Sequence, residues 1–161
     1  NKYNGEGIVT LANFNSPGQV VISGNQEAVN SIMEAAKAKG ARLCVELKVS
    51  GAFHSPLMKP AKEKLEDAIA TSSICDAKYP LFANFNSKRV TKKENIKDSL
   101  LKQLESPVLW SNSIKSIEKL GVVDFYEVGP GNVLKGLNKR INRKLNTIGI
   151  GTMKELESLN V

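Results

Sequence analysis

The chain has 161 residues, 41 % of them apolar and 24 % charged, which is enough to bury a real core and excludes a disordered, collagen-like or disulfide-scaffold protein. No run reaches the roughly 18 uninterrupted apolar residues of a membrane helix, and no basic-then-apolar signal pattern opens the chain, so no membrane role is expected. The 23 Lys+Arg against 16 Asp+Glu give a net charge of +7, read either as a lysine-rich solvated surface or as a face for an acidic partner. One Trp, three Tyr and five Phe provide no basic helix interleaved with stacking rings, so nucleic acid is not an expected partner. Two cysteines, Cys44 and Cys75, suit a reducing cytoplasm, and a lone histidine, His54, cannot assemble a zinc cluster. The chain opens on Asn1, from which we expect a piece of a longer protein.

Residues 7–12 (GIVTLA) and 19–23 (QVVIS) are β-branched runs separated by Asn13-Phe14-Asn15-Ser16-Pro17-Gly18, which predicts strand, tight connection, strand. Asn25 reads as an N-cap for a helix over Gln26–Lys39. There Val29, Ile32, Met33 and Ala36 share one face, and Gly40 supplies the left-handed stop. Residues 42–49 (RLCVELKV) alternate apolar and polar as a strand does. Ser50–Ser55 breaks the pattern. A second amphipathic helix then runs from Pro56 to about Thr71, with Leu57, Met58, Ala61, Leu65, Ala68 and Ile69 inward and Pro60 tolerated in the first turn.

Further along, the spacing predicts a strand over 80–84, helices near 93–104 and 110–120, and a strand over 122–128. It then predicts a helix from about Asn132 to Lys144, a strand over 146–150 and a short terminal helix. Strands alternating with helices of ten or more residues argue an α/β fold with a mostly parallel sheet. The first 49 residues read differently: two adjacent strands, a helix and a strand, an α+β unit without an opening strand and helix. Two regions are therefore expected, residues 1–49 and residues 50–161.

Among reactive groups, His54 stands out, placed between a strand end and a helix start, where α/β proteins put reactive loops. A loop imidazole there can move a proton at neutral pH, or can serve only as a hydrogen-bonded turn residue. No Gly-x-Ser-x-Gly elbow occurs, and neither cysteine has a histidine or acid to complete a nucleophilic set. Gly129-Pro130-Gly131 before a helix resembles an anion cradle only loosely, because its frame is neither Gly-x-Gly-x-x-Gly nor a Walker loop.

Four segments in register say more. They are Asn13-Phe14-Asn15-Ser16-Pro17-Gly18-Gln19-Val20-Val21-Ile22-Ser23-Gly24, Gly51-Ala52-Phe53-His54-Ser55-Pro56-Leu57-Met58, Gln103-Leu104 with Pro107-Val108-x-Trp110, and Glu127-Val128-Gly129-Pro130-Gly131-x-Val133-Leu134-x-Gly136-Leu137. In this order the chain resembles the C-terminal half of the malonyl-CoA:acyl carrier protein transacylase family, from about Asn4 to its end. The resemblance implies a partial α/β-hydrolase-like acyltransferase core carrying an incomplete, inserted ferredoxin-like subdomain. It implies transfer of malonyl from coenzyme A to the phosphopantetheine thiol of an acyl carrier protein, through a malonyl ester on serine, in fatty acid synthesis.

On this resemblance His54 is the catalytic histidine, and Gln103 is the glutamine whose main-chain carbonyl holds the histidine N–H. Asn13 and Asn15 line the substrate site, and Phe53 goes with malonyl rather than bulkier acyl units. No cofactor or metal is implied beyond the coenzyme A thioester as substrate. The implied partners are malonyl-CoA, an acidic acyl carrier protein and the N-terminal half of the same protein. The family's nucleophilic serine, its carboxylate-binding arginine and its oxyanion-hole glutamine all belong to that half, so the chain alone is expected to be inactive. Lys135, Lys139, Arg140, Arg143 and Lys144, or Lys59, Lys62 and Lys64, are candidate carrier-docking groups or plain solvated faces. The alternatives are a non-catalytic module that binds an acidic carrier protein, and an acyltransferase domain excised from a polyketide or fatty acid synthase.

Overall fold

A computed structural model describes residues 5–159 and shows a mixed α/β architecture. Strand β1 (Val9–Ser16) pairs antiparallel with β2 (Gln19–Gly24), and helix α1 (Gln26–Ala38) follows. A 3-10 turn over Pro56–Met58 leads into α2 (Lys59–Thr71). Next come the short strands β3 (Leu81–Phe82) and β4 (Arg89–Val90), then α3 (Lys93–Gln103) and α4 (Trp110–Glu118). The chain closes with β5 (Asp124–Val128), α5 (Val133–Ile141), β6 (Asn146–Ile150) and α6 (Met153–Glu157).

The tertiary centre is built where α4 and α5 pack on β1 and on each other, with α5 also against β6. Ala12, Ile114 and Leu137 are buried there. A polar relay crosses the same region: Trp110 Nε1 donates to Asn138 Oδ1 at 3.2 Å, and Asn138 Nδ2 donates to Thr147 Oγ1 at 3.2 Å. Asn138 is 2 % exposed, so these bonds satisfy an amide that would otherwise be costly to bury.

Several sequence expectations are corrected. The sheet is not mostly parallel: the described strands form three two-stranded sheets, of which only β5–β6 is parallel. Residues 42–49 form no strand, and Leu43, Val45, Leu47 and Val49 are exposed. Alternation lets a segment serve as a strand, but a strand needs a partner for its N–H and C=O groups, and no described residue pairs with this one. Gln26 Nε2 donating to Glu46 Oε1 at 2.9 Å ties it to α1 instead.

The first strand also runs further than its turn-like composition implies. Asn13–Ser16 belong to β1, with register shifts between Leu11 and Asn13 and between Phe14 and Ser16, and only Pro17-Gly18 turns. These irregularities let polar residues sit in a strand while keeping the pairing. Asn25 stands at the N-cap of α1 but makes no side-chain cap bond. Its Oδ1 instead accepts the Ile8 N–H at 2.7 Å. The predicted strand over 80–84 shrinks to Leu81–Phe82 and gains an unforeseen antiparallel partner in β4. Along the Pro56–Met58 turn and α2, Met58, Ala61, Leu65 and Ile69 turn inward, whereas Leu57 and Ala68 are exposed. The α5 helix ends at Ile141 because Asn142 adopts extended backbone.

Candidate functional site

His54 lies in the turn between the irregular segment and α2, with φ of 63°. A residue bearing a Cβ occupies this left-handed region at a cost of about 1–2 kcal/mol, so its surroundings must hold it there. They do so at both ends of the residue. The His54 N–H donates to the Leu104 carbonyl at 3.1 Å, and Thr10 Oγ1 lies 3.4 Å from the His54 carbonyl, as its donor. The following residue, Ser55, is fully buried. Its Oγ donates to the Ala52 carbonyl at 2.6 Å and accepts the Leu57 N–H at 3.3 Å, capping the turn that starts α2. A serine directly before proline at a helix start is a sequence signal for such a cap.

The imidazole is held just as specifically. His54 Nδ1 lies 2.9 Å from the Gln103 main-chain oxygen. A carbonyl can only accept, so Nδ1 carries the proton and Nε2 is left with a free lone pair. Gln103 is the last residue of α3 and Leu104 is its C-cap, so both carbonyls come from the helix end whose oxygens lack intrahelical donors. The two donors of His54, ring and main chain, fill these two successive vacancies.

Other contacts brace this junction. Lys62 on α2 donates to Glu105 Oε2 at 2.5 Å, and this hydrogen bond holds the ammonium above the ordinary lysine range. Asn84 Nδ2 donates to Gln103 Oε1 at 3.3 Å, a link that no sequence pattern announced.

The structure therefore brings together two of the expected site residues, His54 and Gln103. Asn13 and Asn15 are half-buried on β1. The backbone of that strand joins residue 108: Phe14 N donates to the Val108 carbonyl and Val108 N to the Ala12 carbonyl, each at 2.8 Å. No hydrogen bond links either asparagine side chain to His54 or Gln103; the tie from β1 to the histidine is made by Thr10. Phe53 is exposed, and a carbon added at Gly51 would lie 3.6 Å from its ring.

Past the Gly129-Pro130-Gly131 turn, the helix start offers no free N–H pair at Leu134 and Lys135 to an outside anion, because a carboxylate of the chain takes both. Glu127 accepts the Leu134 N–H at 2.9 Å and the Lys135 N–H at 2.7 Å, at the start of α5. Of the basic candidates, Lys62 is paired with Glu105, and Arg140 donates to Gln19 Oε1 at 2.6 Å. Two surface concavities lie away from the histidine. One of about 470 Å³ sits between the end of α2 and the start of α3, and one of about 220 Å³ sits beside Pro130 and Glu155. Among the described residues no cluster of His, Cys, Asp and Glu gathers as a metal site, and no helix is long and apolar enough to cross a membrane.

What this arrangement can do is move a proton at Nε2 of a ring whose tautomer is fixed by a neutral carbonyl. Comparison with known proteins gives that capacity a context. Residues 2–153 match the family described as Acyl transferase domain. The chain is 45 % identical over 150 residues to the malonyl CoA-acyl carrier protein transacylase of Bacillus subtilis strain 168, covering 93 % of this chain and 47 % of that protein. The corresponding protein of Staphylococcus aureus strain COL is 41 % identical over 153 residues, covering 95 % of this chain and 50 % of its own length. The fold superposes on an acyl carrier protein S-malonyltransferase from Vibrio cholerae with a TM-score of 0.91 and 36 % identity, covering 97 % of this chain and 51 % of that one. This chain thus spans about half the length of the relatives it matches. With its sequence matched almost throughout and its fold shared with solved transacylases, the chain belongs to the acyl transferase domain family.

Proposed function

We propose that this chain forms the histidine-bearing side of a malonyl-CoA:acyl carrier protein transacylase acting in fatty acid synthesis in the cytoplasm. The observation that carries the reading is the 2.9 Å contact between His54 Nδ1 and the Gln103 carbonyl, which leaves Nε2 as the acceptor. The nucleophilic serine and the arginine that clamps the malonyl carboxylate come from outside these 161 residues. On this reading, residues 1–49 belong to a ferredoxin-like subdomain and residues 50–161 to a hydrolase-like core. Asn13, Asn15 and Phe53 line the acyl site.

In the first half-reaction His54 Nε2 takes the serine hydroxyl proton as the oxygen attacks the malonyl thioester carbon. The resulting imidazolium returns that proton to the departing coenzyme A sulfur, leaving malonyl esterified to serine. In the second half-reaction Nε2 takes the proton of the carrier's phosphopantetheine thiol, and the sulfur attacks the ester. The proton then goes back to the serine oxygen. A carbonyl steadies the imidazolium less than a carboxylate would, which suits a thiolate leaving group. The net charge of +7 favours encounter with an acidic carrier protein.

The test is intact mass spectrometry of the protein carrying this chain, before and after brief exposure to malonyl-CoA. A hydroxylamine-labile malonyl adduct that is absent in His54→Ala is expected. An adduct that forms equally well in the variant would overturn the role of His54.

A further inference from the structure

A histidine held by the last carbonyl of a helix poses a positional problem, because helix ends fray. Two of the braces at this junction come from the histidine's own side: Lys62 on Glu105, and the His54 N–H on Leu104. Asn84 reaches Gln103 from a different element, the turn between β3 and β4. That turn is closed by Ser87 N donating to the Ala83 carbonyl at 2.8 Å and Ala83 N to the Lys88 carbonyl at 3.0 Å.

The turn is in turn fastened to Leu109. The Leu109 N–H donates to the Asn84 carbonyl at 2.8 Å, and Ser87 Oγ donates to the Leu109 carbonyl at 3.2 Å. Next to Leu109, Val108 exchanges main-chain bonds with β1. The links close on themselves, from β1 through residues 108 and 109 to Asn84, then through Gln103 to His54, and by Thr10 back to β1. We propose that Asn84 is a positioning residue for His54, acting through the side chain of Gln103. It touches no reacting atom. By fixing the Gln103 side chain it sets the direction of the Gln103 carbonyl, and so keeps the proton on Nδ1 and the lone pair on Nε2.

The kinetic part of this inference rests on the transacylase reading, whereas its structural part is read separately. The protein carrying this chain is labelled with ¹⁵N-histidine, and the His54 ring signals are identified with His54→Gln. Asn84→Leu and Gln103→Leu both leave the main-chain carbonyls in place. Each should move the ring nitrogens from a single Nδ1–H tautomer toward an exchanging mixture, and the double variant should move them no further than either alone. Malonyl transfer should fall about tenfold in kcat, with KM for malonyl-CoA nearly unchanged.

Ring shifts like those of the wild type in both single variants, or effects that add in the double variant, would overturn the proposal. If Asn84→Leu does not fold, Gln103→Leu carries the test, since it leaves every residue of the turn between β3 and β4 unchanged. Full transfer activity in His54→Ala would instead sink the transacylase role of His54 and leave the tautomer result standing.

Discussion

Forty-nine positions apart in the chain, His54 and Gln103 meet at 2.9 Å, ring nitrogen to main-chain oxygen, and the next carbonyl, Leu104, takes the His54 N–H at 3.1 Å. One histidine thereby caps the end of α3 with two donors. The arrangement serves both partners: the helix end has its carbonyls satisfied, and the ring has its tautomer set by a group that can only accept.

From this, His54→Ala in the protein carrying the chain should lower malonyl transfer by about 10²–10⁴-fold, the usual contribution of a positioned general acid and base. Circular dichroism should show the fold retained, because Ser55 and Leu57 keep the turn. Steady-state transfer to the carrier is the readout, and near-normal turnover would end the assignment.

Gly24 meets the opposite strand too closely for any side chain. A carbon added there would lie 1.9 Å from the Ile8 carbonyl oxygen. Gly24→Ala should therefore push β1 and β2 apart and cost about 3 kcal/mol. Gly18 has open space around it and only a positive φ to lose, so Gly18→Ala should cost about 1 kcal/mol. Urea denaturation midpoints compare the two, and an equal or reversed order would contradict the contact.

The Glu127 carboxylate occupies the start of α5, where two N–H groups point at it. Glu127→Ala should destabilise the protein by about 1–2 kcal/mol. It should also make thermal stability respond to added phosphate, which would enter the vacated place. Wild-type protein should show no such specific response; equal gains in both proteins would mean the carboxylate does not fill the site.

Two surface contacts give opposite pH signatures. Asp76 sits below the usual carboxylate range, first because Lys92 Nζ donates to it at 2.7 Å and then because the Lys93 N–H does so at 2.9 Å. A depressed carboxylate stabilises the fold above its unfolded pKa, and that contribution is lost as pH falls through the folded value. Lys62 is raised by Glu105, so its contribution is present below the ordinary lysine value and lost as pH rises through the folded one. Asp76→Asn should flatten the acid limb of melting temperature against pH, and to some degree the alkaline limb, because Asp76 also holds Lys92 above the ordinary lysine range; Lys62→Met should flatten the alkaline limb. Curves parallel to wild type would contradict the respective pairing.

The sequence by itself determined the local elements whose signals are local. The periodic face of α1, the helix at α4, the strands β5 and β6, and the proline-started helix α2 all follow from spacing and caps, which act within a few residues. It also singled out His54, and through family resemblance paired it with Gln103. Tertiary structure decided what depends on partners distant in sequence. Residues 42–49 alternate well but find no strand partner among the described residues, β4 exists because β3 lies beside it, and the N–H groups at the start of α5 are taken by Glu127. Asn84 was invisible for the same reason: a hydrogen bond to a residue on another element leaves no periodicity in the chain, and only folding brings its donor to Gln103.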